Sequence, residues 1–181
     1  MNRQETDVPP LTIEPLIDAE TVRTSVAELG RRIGRELAGE DPLLLALLGG
    51  SVIFLADLVR AIEKPVRYEL IHVHSGEDQE SGVLRIEYPL PIQVAGQNVL
   101  VLKDVVTSGV TEPYLEQQLR DHGAGTVRFA ALIDIPDERK TDFRLDYSAF
   151  TIPRQGVLVG YGLKHEGRYG NLSFVGKIQE A

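Results

Sequence analysis

Val99-Leu100-Val101-Leu102-Lys103-Asp104-Val105-Val106-Thr107-Ser108-Gly109-Val110-Thr111 decides the fold. Its first four residues form an apolar run, the signature of a strand covered on both faces. After the small residues Ser108 and Gly109, residues 111–122 place Leu115 and Leu119 four apart on a helix that closes at Gly123. Pro113 falls in the first turn, where a helix tolerates it. A buried strand turning sharply into a helix is the repeating unit of a parallel α/β sheet. In such a sheet, ligands sit beyond the carboxyl ends of the strands, which is where residues 107–111 lie.

The same alternation extends outward in both directions. After an entry containing Pro9, Pro10 and Pro15, residues 18–38 carry Val22, Val26, Leu29, Ile33 and Leu37 at spacings of three and four, one apolar face of a helix. Residues 43–48 are continuously apolar and stop at Gly49-Gly50, a second buried strand. Ser51 is the expected cap of the next helix, with Val52, Leu55, Ala56 and Val59 inward, and the helix ends before Pro65. Residues 66–73 and 83–88 read as a hairpin with a polar tip. Residues 126–135 and 156–163 read as two further strands, separated by an irregular charged stretch. Gly160-Tyr161-Gly162 lacks the third glycine of a dinucleotide turn and reads as part of the last strand. The fold class is α/β, a mainly parallel sheet flanked by helices, in one domain spanning 1–181.

Composition narrows the chemistry. The chain has 181 residues, 43% hydrophobic, with a net charge of −8 and no cysteine. One core is the expectation for this length. Disulfides, thiolate metal sites and a cysteine nucleophile are excluded. The acidic balance argues against a nucleic-acid partner, and no apolar run approaches membrane-spanning length, so a cytoplasmic location is expected. His72 and His74 share a strand face, but two ligands without a third do not make a metal site.

Residues 107–111 suit an anion. Backbone N–H groups at a helix start and the positive end of its dipole attract negative charge; Gly109 permits close approach, and Ser108 and Thr111 add hydroxyls. The alternative on spacing alone is an ordinary turn with Thr111 as the helix cap.

Further motifs follow in order: Leu47-Leu48-Gly49-Gly50-Ser51, Phe54-Leu55-Ala56-Asp57-Leu58, Ser81-Gly82-Val83-Leu84-Arg85-Ile86, Asp146-Tyr147-Ser148-Ala149-Phe150-Thr151-Ile152-Pro153, Val159-Gly160-Tyr161-Gly162-Leu163 and Arg168-Tyr169-Gly170-Asn171-Leu172. Together with 99–111, they make residues 43–178 resemble the hypoxanthine-guanine phosphoribosyltransferases of the type I class. The resemblance implies a parallel-sheet core with a small hood, to which residues 1–18 and 157–181 contribute. It also implies a reaction joining a purine to phosphoribosyl pyrophosphate with magnesium present, and a homo-oligomer. Ser108, Gly109, the backbone of Val110, and Thr111 would hold the 5'-phosphate. Lys103 and Asp104 would lie on the ribose side, Gly49 and Gly50 on the pyrophosphate side, and Ile135 and Val157 on the base side.

The sequence departs from the family where its chemistry is done. Three family acids read Lys103, Asp104 and Thr107, and an unactivated threonine is a poor general acid or base. Ile135 replaces a lysine that touches the purine's exocyclic oxygen, and it has no hydrogen to donate. Gly156 or Val157 stands where an aromatic stacks on the base. Lys164 replaces a magnesium-side aspartate, and its ammonium repels a metal. An expected arginine is Gly170, with Arg168 two residues earlier, and a Ser-Tyr pair under the hood reads His72-Val73-His74.

Three functions remain open on these residues. The first is a purine salvage enzyme that tolerates the replacements and uses magnesium. The second is a silent relative that binds a purine nucleotide, phosphoribosyl pyrophosphate or another sugar phosphate, with Lys103 and Lys164 neutralising phosphate charge. The third is a subunit that scaffolds or regulates an active relative.

Overall fold

The computed structural model describes residues 11–75, 84–87 and 93–179. In chain order these form β1 (Ile13–Ile17), α1 (Ala19–Glu36), β2 (Leu43–Leu47), α2 (Ser51–Ala61), β3 (Arg67–Ser75), β4 (Leu84–Glu87), β5 (Val99–Val106), α3 (Thr111–Asp121), β6 (Val127–Asp134), a 3-10 turn (Pro136–Glu138), β7 (Tyr147–Thr151), β8 (Leu158–Val159) and β9 (Val175–Ile178). Strands β3, β2, β5, β6 and β7 lie side by side and parallel, and β4 pairs antiparallel with β3 at one edge.

The continuous apolar runs follow from burial on both faces. Alternate residues of β2 and β5 enter opposite cores: Leu44, Ala46, Leu100 and Leu102 pack with the Val22-Val26-Leu29-Ile33 face of α1 and with α2. Leu43, Leu45, Val99 and Val101 pack with Leu115 and Leu119 of α3. A strand sandwiched this way has no polar face to alternate with. Helix α1 begins where Asp18 accepts the Thr21 N–H at 2.9 Å, one of the donors that a helix start leaves unpaired. No helix among the described residues is long and apolar enough to cross a membrane.

A second sheet, in the order β1-β9-β8, is antiparallel throughout. It joins the two ends of the described chain, and Leu158 of β8 reaches the cleft described below. Pro15 is accommodated in β1, an edge strand with a register shift beside it.

Several expectations are corrected. Residues 156–163 do not form a strand of the parallel sheet: only Leu158–Val159 is extended, and it belongs to the small sheet. The strand beside β6 is β7, inside the stretch read as irregular. As an edge strand with one neighbour and mixed burial it has no apolar run to announce it. Gly160-Tyr161-Gly162 is a turn, not a strand, with φ of 93°, 48° and 96°. The cap of α2 is Gly50; Ser51 is its first residue and donates its hydroxyl to the Leu47 carbonyl. That helix buries Ser51, Phe54, Leu55 and Leu58, while Val52 is 37% exposed. The β3–β4 pairing is the expected hairpin, and its tip, with the side chain of His74, lies outside the described residues.

Candidate functional site

Strand β5 delivers Asp104 and Thr107 to the carboxyl edge of the sheet, and the chain turns through residues 108–110 into α3. The cap of α3 is Val110, without a side-chain cap, so Thr111 is the first helical residue rather than the cap. A braced geometry presents the backbone of this turn. Arg139 Nη1 donates to the Thr107 carbonyl at 2.7 Å, Lys140 N–H to the Ser108 carbonyl at 2.8 Å, and Thr141 Oγ1 to the Gly109 carbonyl at 2.8 Å. In a trans peptide the C=O and the next N–H point opposite ways. Three carbonyls held against residues 139–141 therefore turn the N–H groups of Ser108, Gly109 and Val110 to the other side, near the positive end of α3, where that of Val110 donates to Ser108 Oγ at 3.4 Å.

Gly109 is required by this brace. Its φ is 69°, and a Cβ there would come within 2.6 Å of Arg139 Cδ and 2.8 Å of Thr141 Oγ1. Arg139 is fixed in turn by an ion pair with Asp134, and its guanidinium lies 5.7 Å over the Phe143 ring.

Beside the turn opens a cleft of about 470 Å³. Gly49, Gly50, Asp104, Thr107, Ile135 and Lys164 all line it. Its back wall leaves no room for a side chain: a Cβ at Gly162 would meet the Gly50 carbonyl at 2.2 Å. Tyr161 anchors this contact by donating its hydroxyl to Asp57 of α2, and burial together with that carboxylate raises its phenol well above the usual range.

Of the expected residues, Ser108, Gly109, Val110 and Thr111 form the turn beside the cleft rather than its lining, and Lys103 and Val157 do not line it either. Lys103 does not line the cleft; its ammonium pairs with Glu112 of α3, whose side chain is 2% exposed. Its charge is matched by that carboxylate. Val157 is half-exposed outside the cleft wall, while Gly156 and Leu158 line it. Sequence reasoning missed Arg139 and Thr141, which reach the turn from 32 residues away, and also Glu138 and Gln155 on the cleft wall. The signal for Glu112 was available: it shares a helix face with Leu115 and Leu119.

The family model for the phosphoribosyl transferase domain matches residues 16–166. The hypoxanthine-guanine phosphoribosyltransferase of Mycobacterium tuberculosis is 38% identical over 171 residues, covering 90% of this chain and 84% of that protein. This chain belongs to the hypoxanthine-guanine phosphoribosyltransferase family. The Streptococcus pneumoniae member is 32% identical over 167 residues, covering 91% and 92% of the two chains. A crystal structure of the Bacillus anthracis hypoxanthine-guanine phosphoribosyltransferase, with a HEPES molecule in its active site, superposes with a TM-score of 0.84 at 31% identity. That match covers 94% of this chain and all of the other. The fold is that of the type I phosphoribosyltransferases.

Family members work with magnesium, and among the described residues no three His, Asp or Glu side chains gather as a metal site. Asp104 is a cleft carboxylate, and its Oδ1 accepts the Val105 N–H at 2.8 Å. The other cleft carboxylate, Glu138, pairs with Arg154 at 3.1 Å. Lys164, an exposed residue, also lines this cleft. Magnesium commonly takes one or two carboxylates together with waters and substrate phosphates, and a cation close to such ligands weakens its binding.

Proposed function

We propose that this member of the hypoxanthine-guanine phosphoribosyltransferase family binds the 5'-phosphate of a purine nucleotide or ribose phosphate at residues 107–111 without magnesium. In this reading it has lost most of the family's transfer chemistry. The observation that carries the proposal is the contrast within one strand end. The N–H cradle of residues 108–110 is braced by three hydrogen bonds, whereas its neighbour Thr107 occupies the position of a family acid.

Lys164 is the cleft cation in this reading, and it supplies to the ligand's phosphate part of the charge that magnesium supplies elsewhere. Asp104 faces the ribose hydroxyls as acceptor. Ile135, Leu158 and Leu163 offer the base apolar surface, so discrimination between 6-oxo and 6-amino purines is weak. Transfer needs proton movement at the purine ring, for which general acid-base groups contribute about 10²–10⁴ in rate, and Thr107 supplies none.

A single-turnover assay with labelled hypoxanthine, phosphoribosyl pyrophosphate and magnesium tests the loss of chemistry. Nucleotide formation within about tenfold of an active relative would return the chain to the salvage enzymes; product at least about 10²-fold slower agrees with the proposal.

A further inference from the structure

Most arginines of this acidic chain pair with carboxylates, as Arg32 does with Glu36 and Arg128 with Glu40. Among the described residues, the cations without such a pair fall in two places. Lys140, Arg144, Lys164 and Arg168 belong to the segments around the phosphate turn and the cleft. Arg31, Arg35 and Lys64 gather at the amino end of the sheet, in a groove of about 300 Å³ floored by Gly34 and Ala38.

Arg31 and Arg35 are one turn apart on α1, and Lys64 follows α2. All three are exposed. The negative end of the α1 dipole accounts for a cation at Arg35 in the last turn, but not for Lys64 on a different element. Glu63 is the one carboxylate lining this groove. Gly34, Ala38 and Lys64 also border a second cavity of about 230 Å³, walled by Leu37, Pro42, Ile62 and Val66. Asp41, at its rim, is engaged by Arg67 at 3.2 Å. An apolar slot thus opens directly onto a cationic groove.

We infer that this composite cleft is a second anion site, for a small molecule carrying a phosphate on an apolar body. The phosphate lies against Arg31, Arg35 and Lys64, whose positive charge exceeds that of Glu63 in the groove and of Glu36 beside Arg35, and guanidinium forks suit its oxygens. The body fills the slot, in the manner of small-molecule pockets with an apolar lining and a few converging charges. The site is independent of the 107–111 turn, which lies at the opposite end of the strands.

Phenyl phosphate is the probe, followed by amide chemical shifts of the full chain. Saturable shifts at Gly34, Ala38 and Lys64 are expected, with affinity at least about tenfold lower in the exposed double variant Arg31→Glu/Arg35→Glu. Inorganic phosphate and phenol should each bind more weakly than phenyl phosphate. The inference is overturned if these amides do not move, if shifts appear around Gly109 alone, if the double variant binds unchanged, or if either fragment matches the whole probe.

Discussion

Gly50 and Asp104 are in such close contact that a Cβ at position 50 would stand 2.1 Å from Asp104 Oδ2. The α2 entry and the end of β5 therefore share a space that only glycine leaves open. Gly162 presses on the Gly50 carbonyl from the other side, so three segments of the cleft meet at one residue.

Gly50→Ala should push either the Asp104 carboxylate or the 49–51 turn out of place. The expected result is a loss of about 1–3 kcal/mol in stability, by chemical denaturation, and at least about tenfold in nucleotide affinity. An unchanged affinity would mean that Asp104 does not contact the ligand.

The Lys103–Glu112 pair separates structural charge from ligand charge. Lys103→Met leaves the buried Glu112 without its partner and should cost about 3–5 kcal/mol, whereas Lys103→Met/Glu112→Leu should recover most of that loss. Nucleotide affinity in the double variant should stay within about threefold of the parent, because neither side chain lines the cleft. A large loss of affinity in a stable double variant would restore Lys103 to the ligand site.

The buried centre of this fold was legible because its strands are covered twice. Leu43 to Leu45 and Val99 to Leu102 have apolar neighbours on both faces, so sequence alone displays them as runs. The edge strand β7 and the two-residue β8 have too little burial to leave such a trace. Site residues divide in the same way. Thr107, Gly109 and Thr111 are local to one turn and visible in its motif, but Arg139 and Thr141 hold that turn through long-range contacts that no spacing encodes. The pairing of Lys103 with Glu112 likewise becomes visible only when α3 is laid on β5.

Tyr161 should mark the alkaline limit of stability. Its folded-state pKa is raised above the ordinary value near 10, mainly by burial and then by Asp57. A raised pKa contributes stability that is whole below about pH 10 and is lost as pH climbs beyond it. Tyr161→Phe should remove this alkaline slope and cost about 1 kcal/mol at pH 8, where the hydrogen bond is intact. Denaturation midpoints from pH 8 to pH 11 read both effects, and an equally steep slope in the variant would assign it to another group.

Restoring the family groups should restore the family reaction. In Thr107→Asp/Ile135→Lys/Lys164→Asp the cleft regains an acid, a donor to the base and a metal-side carboxylate. Magnesium-dependent nucleotide formation should rise by at least about 10² over the parent in single-turnover assays. Parent-level turnover in the folded variant would show that other positions were also lost.

The most direct measurement is calorimetric titration of the chain with guanosine monophosphate, once in EDTA and once with magnesium. Saturable heat with the same affinity in both buffers, lowered at least about tenfold by Lys164→Asp in EDTA, is the result predicted. No heat in EDTA, or binding that appears only with magnesium, would contradict a metal-free phosphate site at residues 107–111.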